Sequence, residues 1–174
     1  MLSFRTATEA DLTAIWQIIL QAKSQMSREG KHQWDEQYPA VANIEADIQN
    51  RHAYVLSTPD EIAAYGAVIF GEEPAYRHIT GGKWLSQQPY CVVHRLAVAD
   101  KMKRQGIARQ FMLEAETLAR KKQVFSLKVD TNYDNFYMQR LLTGLQFSYC
   151  GEIRYGRGIR MGYEKLLDNK ETVI

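Results

Sequence analysis

Cysteine is scarce in this chain. Only Cys91 and Cys150 occur in 174 residues, which is too few for a disulfide framework. No C-x-x-C pair or Cys/His cluster offers zinc ligands, so both are expected as free thiols in a reducing cytoplasm. Long apolar runs are absent too, and nothing approaches the roughly 18 residues of a membrane span. Met1-Leu2-Ser3-Phe4-Arg5 lacks a signal-peptide pattern. Charge of one sign is almost balanced out: the net charge is +2, too mild to imply nucleic acid or an anionic membrane as partner. There is no internal repeat, low-complexity tract or interdomain linker. The expectation is a cytoplasmic protein with one domain over 1–174, no metal, no nucleic acid and no membrane.

What is present is the balance of a globular protein. Hydrophobic residues make up 45% and charged residues 24%, enough for a core that excludes water from an active site. Ser3–Thr6 reads as a strand. Thr8 and Asp11 form a capping pattern, and Leu12, Ile15, Trp16, Ile19, Lys23 and Met26 follow at helical spacing until Gly30. Val41, Ile44 and Ile48 suggest a second, shorter helix. Strands are expected at Ala53–Ser57 and Ile62–Phe70, joined by the turn Thr58-Pro59-Asp60-Glu61.

A loop of roughly 19 residues, 71–89, comes next, and loops that long are usually functional or mobile. Residues 90–99 read as a strand, 105–122 as a helix and 124–130 as a strand. Asp134 is expected to cap a further helix, and strands at 147–155 and 159–166 end the pattern. Strand, helix, strand from 90 to 130 is a crossover unit, which implies a parallel pair. The fold class expected is α/β: a mixed, mostly antiparallel sheet of six to seven strands with helices on both faces.

The chemistry concentrates between Val98 and Arg109, where a strand passes through a short loop into a helix. The first N–H groups of a helix lack internal partners and carry the positive end of its dipole, so a pyrophosphate can take them if the backbone comes close. Gly106 and Ala108 leave room, and Lys103, Arg104 and Arg109 add positive charge. The segment is neither a P-loop nor a G-x-G-x-x-G fingerprint. It also reads as a strand-to-helix turn with a solvated basic face.

Lys103-x-x-Gly106-x-Ala108 resembles the acyl-CoA signature Gln/Arg-x-x-Gly-x-Gly/Ala of the GNAT (Gcn5-related) N-acetyltransferases, with Lys in the first position and Ala in the last. Arg95-Leu96-Ala97-Val98 resembles the family's preceding strand. Asp130-Thr131-Asn132, Asn135-x-x-Met138 and Phe147 resemble its later strand, helix and strand, and the element order matches over nearly the whole chain. The resemblance implies that the central parallel pair is splayed and that acetyl-CoA is the acyl donor. The Val98 amide would stabilise the oxyanion. The backbone of Arg104, Gln105, Gly106, Ile107, Ala108 and Arg109, with Lys103, would hold the pyrophosphate. Leu96, Asn132, Asn135 and Tyr137 would make further cofactor contacts. First-turn capping is the plainer reading of Asn135.

An alkyl ammonium must lose a proton before it attacks. His94 precedes Val98 by four residues, which puts both on one face of a regular strand, and some arylalkylamine-type members of the family carry a histidine at this place. A packed histidine is the plainer reading. Val92 stands where other members carry a basic glutamate. The tyrosine that often protonates the leaving thiolate is replaced by Leu142, so the standard acid is absent.

Acceptor contacts in this fold would fall on Trp34, Tyr38 and Trp84, with His32, Asp35, Glu36, Tyr76 and Tyr155 nearby in the same regions. Aromatic faces and carboxylates suit a cationic amine; sealing of the first helices is the alternative for Trp34 and Tyr38. The activity implied is acetyl transfer to a primary amine of a small molecule or peptide, by direct attack in a ternary complex, in a monomer or homodimer. The alternative is a non-catalytic CoA-binding module on the same fold.

Overall fold

Apolar residues at helical spacing need a sheet to cover, and each helix here has one. The computed structural model describes residues 1–169. It runs β1 (Ser3–Thr6), α1 (Leu12–Arg28), α2 (Val41–Gln49), β2 (Ala53–Ser57), β3 (Ile62–Phe70), β4 (Ile79–Thr80), β5 (Cys91–Val98), α3 (Ile107–Lys121), β6 (Ser126–Thr131), α4 (Phe136–Gly144), β7 (Ser148–Tyr155) and β8 (Gly158–Leu166). Eight strands form one mixed sheet in the order β1-β2-β3-β5-β6-β8-β7-β4. The β5–β6 pair is parallel and registers at Cys91 with Leu127 and Val92 with Lys128.

Two differences from the sequence reading have physical causes. The long loop at 71–89 is not structureless: a 3₁₀ turn, Pro74–His78, leads into β4, which pairs antiparallel with β7. Two residues are too short a run to show periodicity, which is why this eighth strand is silent in the sequence. The cap of α4 is Asn135 rather than Asp134, because the Asn135 Oδ1 accepts the Met138 amide at 3.2 Å. At the first helix the capping pattern is real. The Thr8 amide donates to Asp11 at 2.8 Å, and Arg5 grips the same carboxylate at 2.8 and 2.9 Å. That grip holds the Asp11 carboxyl down at about 2.

The described chain divides into two compact units, residues 1–68 with 94–112, and residues 69–93 with those from 113 onward. In the first, Ile15, Ile19 and Ile44 pack with Val55, Tyr65 and Ala97. Lys23, the one charge on the apolar face of α1, donates to the Pro39 carbonyl at 2.6 Å and lies 5.4 Å from the Trp16 ring. Phe111 is fully buried and meets Phe4 edge-on at 5.3 Å. In the second unit, Tyr76, Val92 and Ile153 are the buried centre of a cluster that includes Trp84, Tyr90 and Tyr155.

Gly66 on β3 is required by Phe111. A Cβ there would lie 2.6 Å from Phe111 Cζ, and the ring is hemmed in by Phe4. Gly66→Ala is expected to destabilise the protein by about 1–3 kcal/mol through overpacking, measured by urea unfolding. A Phe111→Leu background, which removes the ring edge, should absorb much of that penalty.

Candidate active site

The second half of β5 is not a regular strand. Arg95 has a φ of 56°, the left-handed region that non-glycine residues seldom occupy. Its side chain explains how the conformation is held. Arg95 Nε and Nη2 donate to the two oxygens of Asp47 on α2 at 2.8 and 2.6 Å, and Nη1 donates to the Tyr38 hydroxyl at 3.0 Å. The Tyr65 hydroxyl donates to the same carboxylate. Both charges are buried, with side chains 12% and 5% exposed. Burial disfavours the guanidinium charge, but the hydrogen bonds to Asp47 outweigh it and hold the group above its ordinary value. Burial, then the charge of Asp47, raises the Tyr65 phenol, so it remains a donor.

His94 immediately precedes this left-handed residue and is half-buried. The alternation that put His94 and Val98 on one face assumes a regular strand, and Arg95 interrupts it; the two residues share β5 and this unit without parity fixing a common face. Ala97 and Ala99 belong to the apolar core with Ile15 and Ile44. Leu96 and Val98, on the alternate positions, are half-buried.

The loop after β5 is tied to α1. The Asp100 amide donates to Gln21 Oε1 at 2.9 Å, and Lys103 Nζ bonds Gln25 and pairs with Asp100. Lys101 pairs with Glu61, and Gln105 Nε2 donates to the Lys101 carbonyl at 3.0 Å. Two of the basic residues are therefore spent on anchoring the loop. Arg104 and Arg109 are exposed and have no partner among the described residues.

The backbone between the anchors has an unusual rhythm. Arg104 and Gly106 both have positive φ, 62° and 76°, with Gln105 between them. Alternation of this kind turns successive N–H groups toward one side and leaves a shallow concavity. It opens directly into α3, whose first-turn N–H groups lack partners. A Cβ on Gly106 would meet nothing within 4 Å, so the concavity faces open space. Ile107 is buried and anchors the helix start, while Ala108 is half-buried.

The remaining expected cofactor contacts lie in the second unit. Asn132 Nδ2 donates to Asp134 at 3.0 Å, and its Oδ1 accepts from Arg160 Nη1 at 3.0 Å. Asn135 caps α4. Tyr137 is 60% exposed. Leu142 is fully buried, so the position of the family's usual tyrosine is part of the core here.

The expected acceptor residues separate likewise. Trp34 is buried in the core of the first unit and Tyr38 is a partner of Arg95. His32, Asp35 and Glu36 are exposed; Asp35 closes a turn by accepting the Gln37 and Tyr38 amides. Trp84 belongs to the second unit, where it contacts Tyr76 at 5.1 Å between centroids and donates from Nε1 to the Tyr76 carbonyl at 2.8 Å.

That unit holds polar residues whose joint role was not legible beforehand. Ser126, Lys128 and Asp130 alternate along β6 and so share one face. Ser126 donates to the buried Glu164 at 2.7 Å, and Ser86 and the Leu85 amide donate to the same carboxylate at 2.9 and 2.6 Å. Lys128 Nζ lies 4.2 Å from the Trp84 ring centroid and 3.8 Å from that of Tyr90. Burial lowers its pKa, with Glu164 pulling the other way. Asp130 Oδ2 accepts from the Tyr76 hydroxyl at 2.7 Å and the Tyr155 hydroxyl at 2.9 Å. The signal was a serine, a lysine and an aspartate at period two in an otherwise apolar strand.

Comparison with known proteins agrees with this architecture. Residues 13–147 match the family model for the acetyltransferase (GNAT) family. A GNAT-family acetyltransferase from Streptococcus agalactiae is 30% identical over 96% of each chain, with a TM-score of 0.88. The ribosomal-protein-S18-alanine N-acetyltransferase of Escherichia coli shares the fold at 14% identity over 100% of this chain and 99% of its own, TM-score 0.68. An acetyltransferase from Salmonella typhimurium, solved with its cofactor acetyl-CoA, shares it at 17% identity over 97% and 95%, TM-score 0.67. No curated protein sequence matches. The fold is that of an acetyltransferase, with a loop of left-handed residues between a central strand and the following helix. The chain belongs to the GNAT acetyltransferase family. No helix among the described residues is long and apolar enough to cross a membrane.

The buried pair in the first unit gives a stability prediction. Asp47→Ala leaves the Arg95 charge buried without its anion and is expected to cost about 3–5 kcal/mol, read from thermal or urea unfolding. Replacing both residues together, as Asp47→Leu with Arg95→Met, should recover only part of the loss, because the buried Tyr65 hydroxyl loses its acceptor and the left-handed residue its clamp.

Proposed function

We propose that the chain is one N-acyltransferase domain that transfers the acetyl group of acetyl-CoA to a primary amine of a small molecule or peptide, by direct attack in a ternary complex. The observation that carries this reading is the cradle at Arg104, Gln105 and Gly106. Its two left-handed residues flank an open concavity at the start of α3, with unpartnered cations at Arg104 and Arg109. This fits a pyrophosphate, and membership of the family selects CoA among pyrophosphate ligands.

Acetyl-CoA supplies the activated acyl group as a thioester. The N–H groups from Arg104 to Arg109 would donate to the pyrophosphate oxygens, and the two arginines would screen their charge. Lys103 contributes by fixing the loop through Asp100 and Gln25. The Val98 amide is assigned the carbonyl oxygen of the acyl group, where donation stabilises the charge that develops on attack. His94 is assigned the proton of the incoming ammonium. It lies on the strand that carries Val98, and the Arg95 clamp fixes the backbone next to it. No general acid is assigned: Leu142 is a buried hydrocarbon, and a thiolate of pKa near 8.5 departs without one. Leu96, Asn132, Asn135 and Tyr137 are assigned to the remainder of the cofactor, and Trp34, Tyr38 and Trp84 to the acceptor regions.

A non-catalytic CoA-binding module is the second reading, and the buried Leu142 is what favours it. Thiol release from acetyl-CoA with a panel of primary amines and peptides separates the two: turnover on any acceptor supports transfer, and tight CoA binding with none supports the module.

Two variants test the assignments. Gly106→Val forces a β-branched residue into a left-handed backbone, so the free loop relaxes out of the cradle conformation and must re-enter it to bind. Strain of about 1–3 kcal/mol corresponds to a roughly ten- to hundredfold weaker acetyl-CoA Kd, measured by calorimetry. His94→Ala should lower kcat by about a hundredfold, at the low end of general-base effects, with the affinity for acetyl-CoA unchanged. An unaltered rate would remove His94 from the mechanism.

A further inference from the structure

The free amides at the start of α3 begin where a closed ring of contacts ends. Gln21 and Gln25 stand one helical turn apart on α1 and so share a face. Gln21 Oε1 accepts the Asp100 amide at 2.9 Å, Gln25 Oε1 accepts the Lys103 ammonium, and Lys103 pairs with the Asp100 carboxylate. One turn of α1 thus closes on both ends of the bend at 100–103. Gln25 is itself fixed, because its Nε2 donates to Glu29 at 2.9 Å; turning its amide over would lose both bonds. Both glutamines are half-buried.

Inside the ring the main chain is bonded as well. The Met102 amide donates to the Ala99 carbonyl at 2.8 Å and the Lys103 amide to the Asp100 carbonyl at 3.3 Å. The Met102 side chain packs against the core of the first unit. Beyond Lys103 the pattern stops. No amide from Arg104 to Arg109 donates to an acceptor among the described residues, and pairing resumes at Gln110, whose amide donates to the Gly106 carbonyl at 2.9 Å. The left-handed residues Arg104 and Gly106 follow the ring directly, so the ring sets where this stretch starts. All of these residues belong to the first unit.

We propose that Gln21 and Gln25 are positioning residues for the acyl donor: with Asp100 and Lys103 they hold the bend that presents the free amides, and so raise the affinity for acetyl-CoA without entering its chemistry. This rests on the reading of residues 104–109 as the pyrophosphate site. Ordering a slack loop on binding subtracts from affinity, and a loop ordered in advance avoids that loss. The signature lysine shares this duty. Lys103 is engaged by a carboxylate and an amide oxygen within the ring, so the cations that remain for the phosphates are Arg104 and Arg109.

The test measures acetyl-CoA affinity by calorimetry in Gln21→Met, Gln25→Met and Lys103→Met. Thermal unfolding checks that each is folded, and a variant that is not is replaced by its alanine counterpart. Each glutamine substitution removes one hydrogen bond from the ring, and a bond of ordinary strength corresponds to an about fivefold weaker Kd. On any acceptor that turns over, kcat at saturating acetyl-CoA should be unchanged. Gln25→Met should have no further effect in the Lys103→Met background, since both break the same link. Lys103→Met should keep the wild-type dependence of Kd on ionic strength, whereas Arg104→Gln should lose part of it. Wild-type affinity in either glutamine variant overturns the proposal, as does a fall in kcat of the same size. A tighter Kd in Gln25→Met, or a weaker salt dependence in Lys103→Met, overturns it too, because a lysine that touches phosphate would behave so. If the wild type gives no saturable heat with acetyl-CoA, the pyrophosphate reading fails and the proposal falls with it. If acetyl-CoA binds and the glutamine variants bind it equally well, the pyrophosphate reading stands and the proposal alone fails.

Discussion

A guanidinium taken out of water must find an anion, and in the first unit the search is answered by one residue. Arg95 reaches Asp47 with two hydrogen bonds and Tyr38 with a third, while Tyr65 closes the carboxylate from β3. The pairing links β5 to α2 and fixes a left-handed residue in mid-strand. Without it the left-handed backbone would cost free energy with nothing to offset it. The end of β5 and the loop after it start from this point. β5 delivers Val98, and the Ala99 amide bonds the Ala63 carbonyl at 2.9 Å. The loop then reaches α3 under the restraint of Gln21 and Gln25. A cradle made of backbone N–H groups is only as well aimed as the strand that feeds it.

Much of this was legible in the sequence because it is written locally. The strands Ser3–Thr6, Ala53–Ser57 and Ile62–Phe70 were bounded correctly from alternation and from turn residues. The first helix follows from the spacing of Leu12, Ile15 and Ile19, and the cradle from Gly106 with its flanking charges. What escaped is what depends on distant partners. Nothing local to Arg95 announces a left-handed conformation, since its cause is Asp47, 48 residues away. Lys103 looked like a phosphate ligand because its spacing matches a signature, yet its ammonium is tied to Asp100 and Gln25. Trp34 reads from the sequence as an aromatic contact for a ligand, and it also packs in the core of the first unit, a second duty that the sequence does not announce.

The second unit shows the same limit from the other side. Ser126, Lys128 and Asp130 on β6 would be costly under a covering loop unless each polar group found a partner. The segment from Glu72 to Tyr90 supplies most of them: Tyr76 for Asp130, the Trp84 and Tyr90 rings for Lys128, and Ser86 with the Leu85 amide for Glu164. The length of this segment is therefore not slack. It supplies partners to polar groups on β6 and β8, and the two-residue strand β4 fastens it to β7.

Charge pairing also separates residues that hold the fold together from residues that face a ligand. Two buried carboxylates are paired with cations within the protein. Glu116 has Lys165 at 2.6 Å and Arg120 at 3.7 Å, and Asp47 has Arg95. Arg104 and Arg109 stand apart from this pattern at the mouth of an anion cradle, as Asp130 does among tyrosines. Exposure alone accounts for the two arginines, because solvated guanidinium groups need no partner. It does not account for Asp130, which is half-buried and is oriented by two hydroxyls that use one oxygen and leave the other. Two donors converging on a single oxygen fix the carboxylate plane, and a fixed plane is of no benefit to a group that only needs water. Held by two hydroxyls on one oxygen, Asp130 keeps its other oxygen presented in one direction.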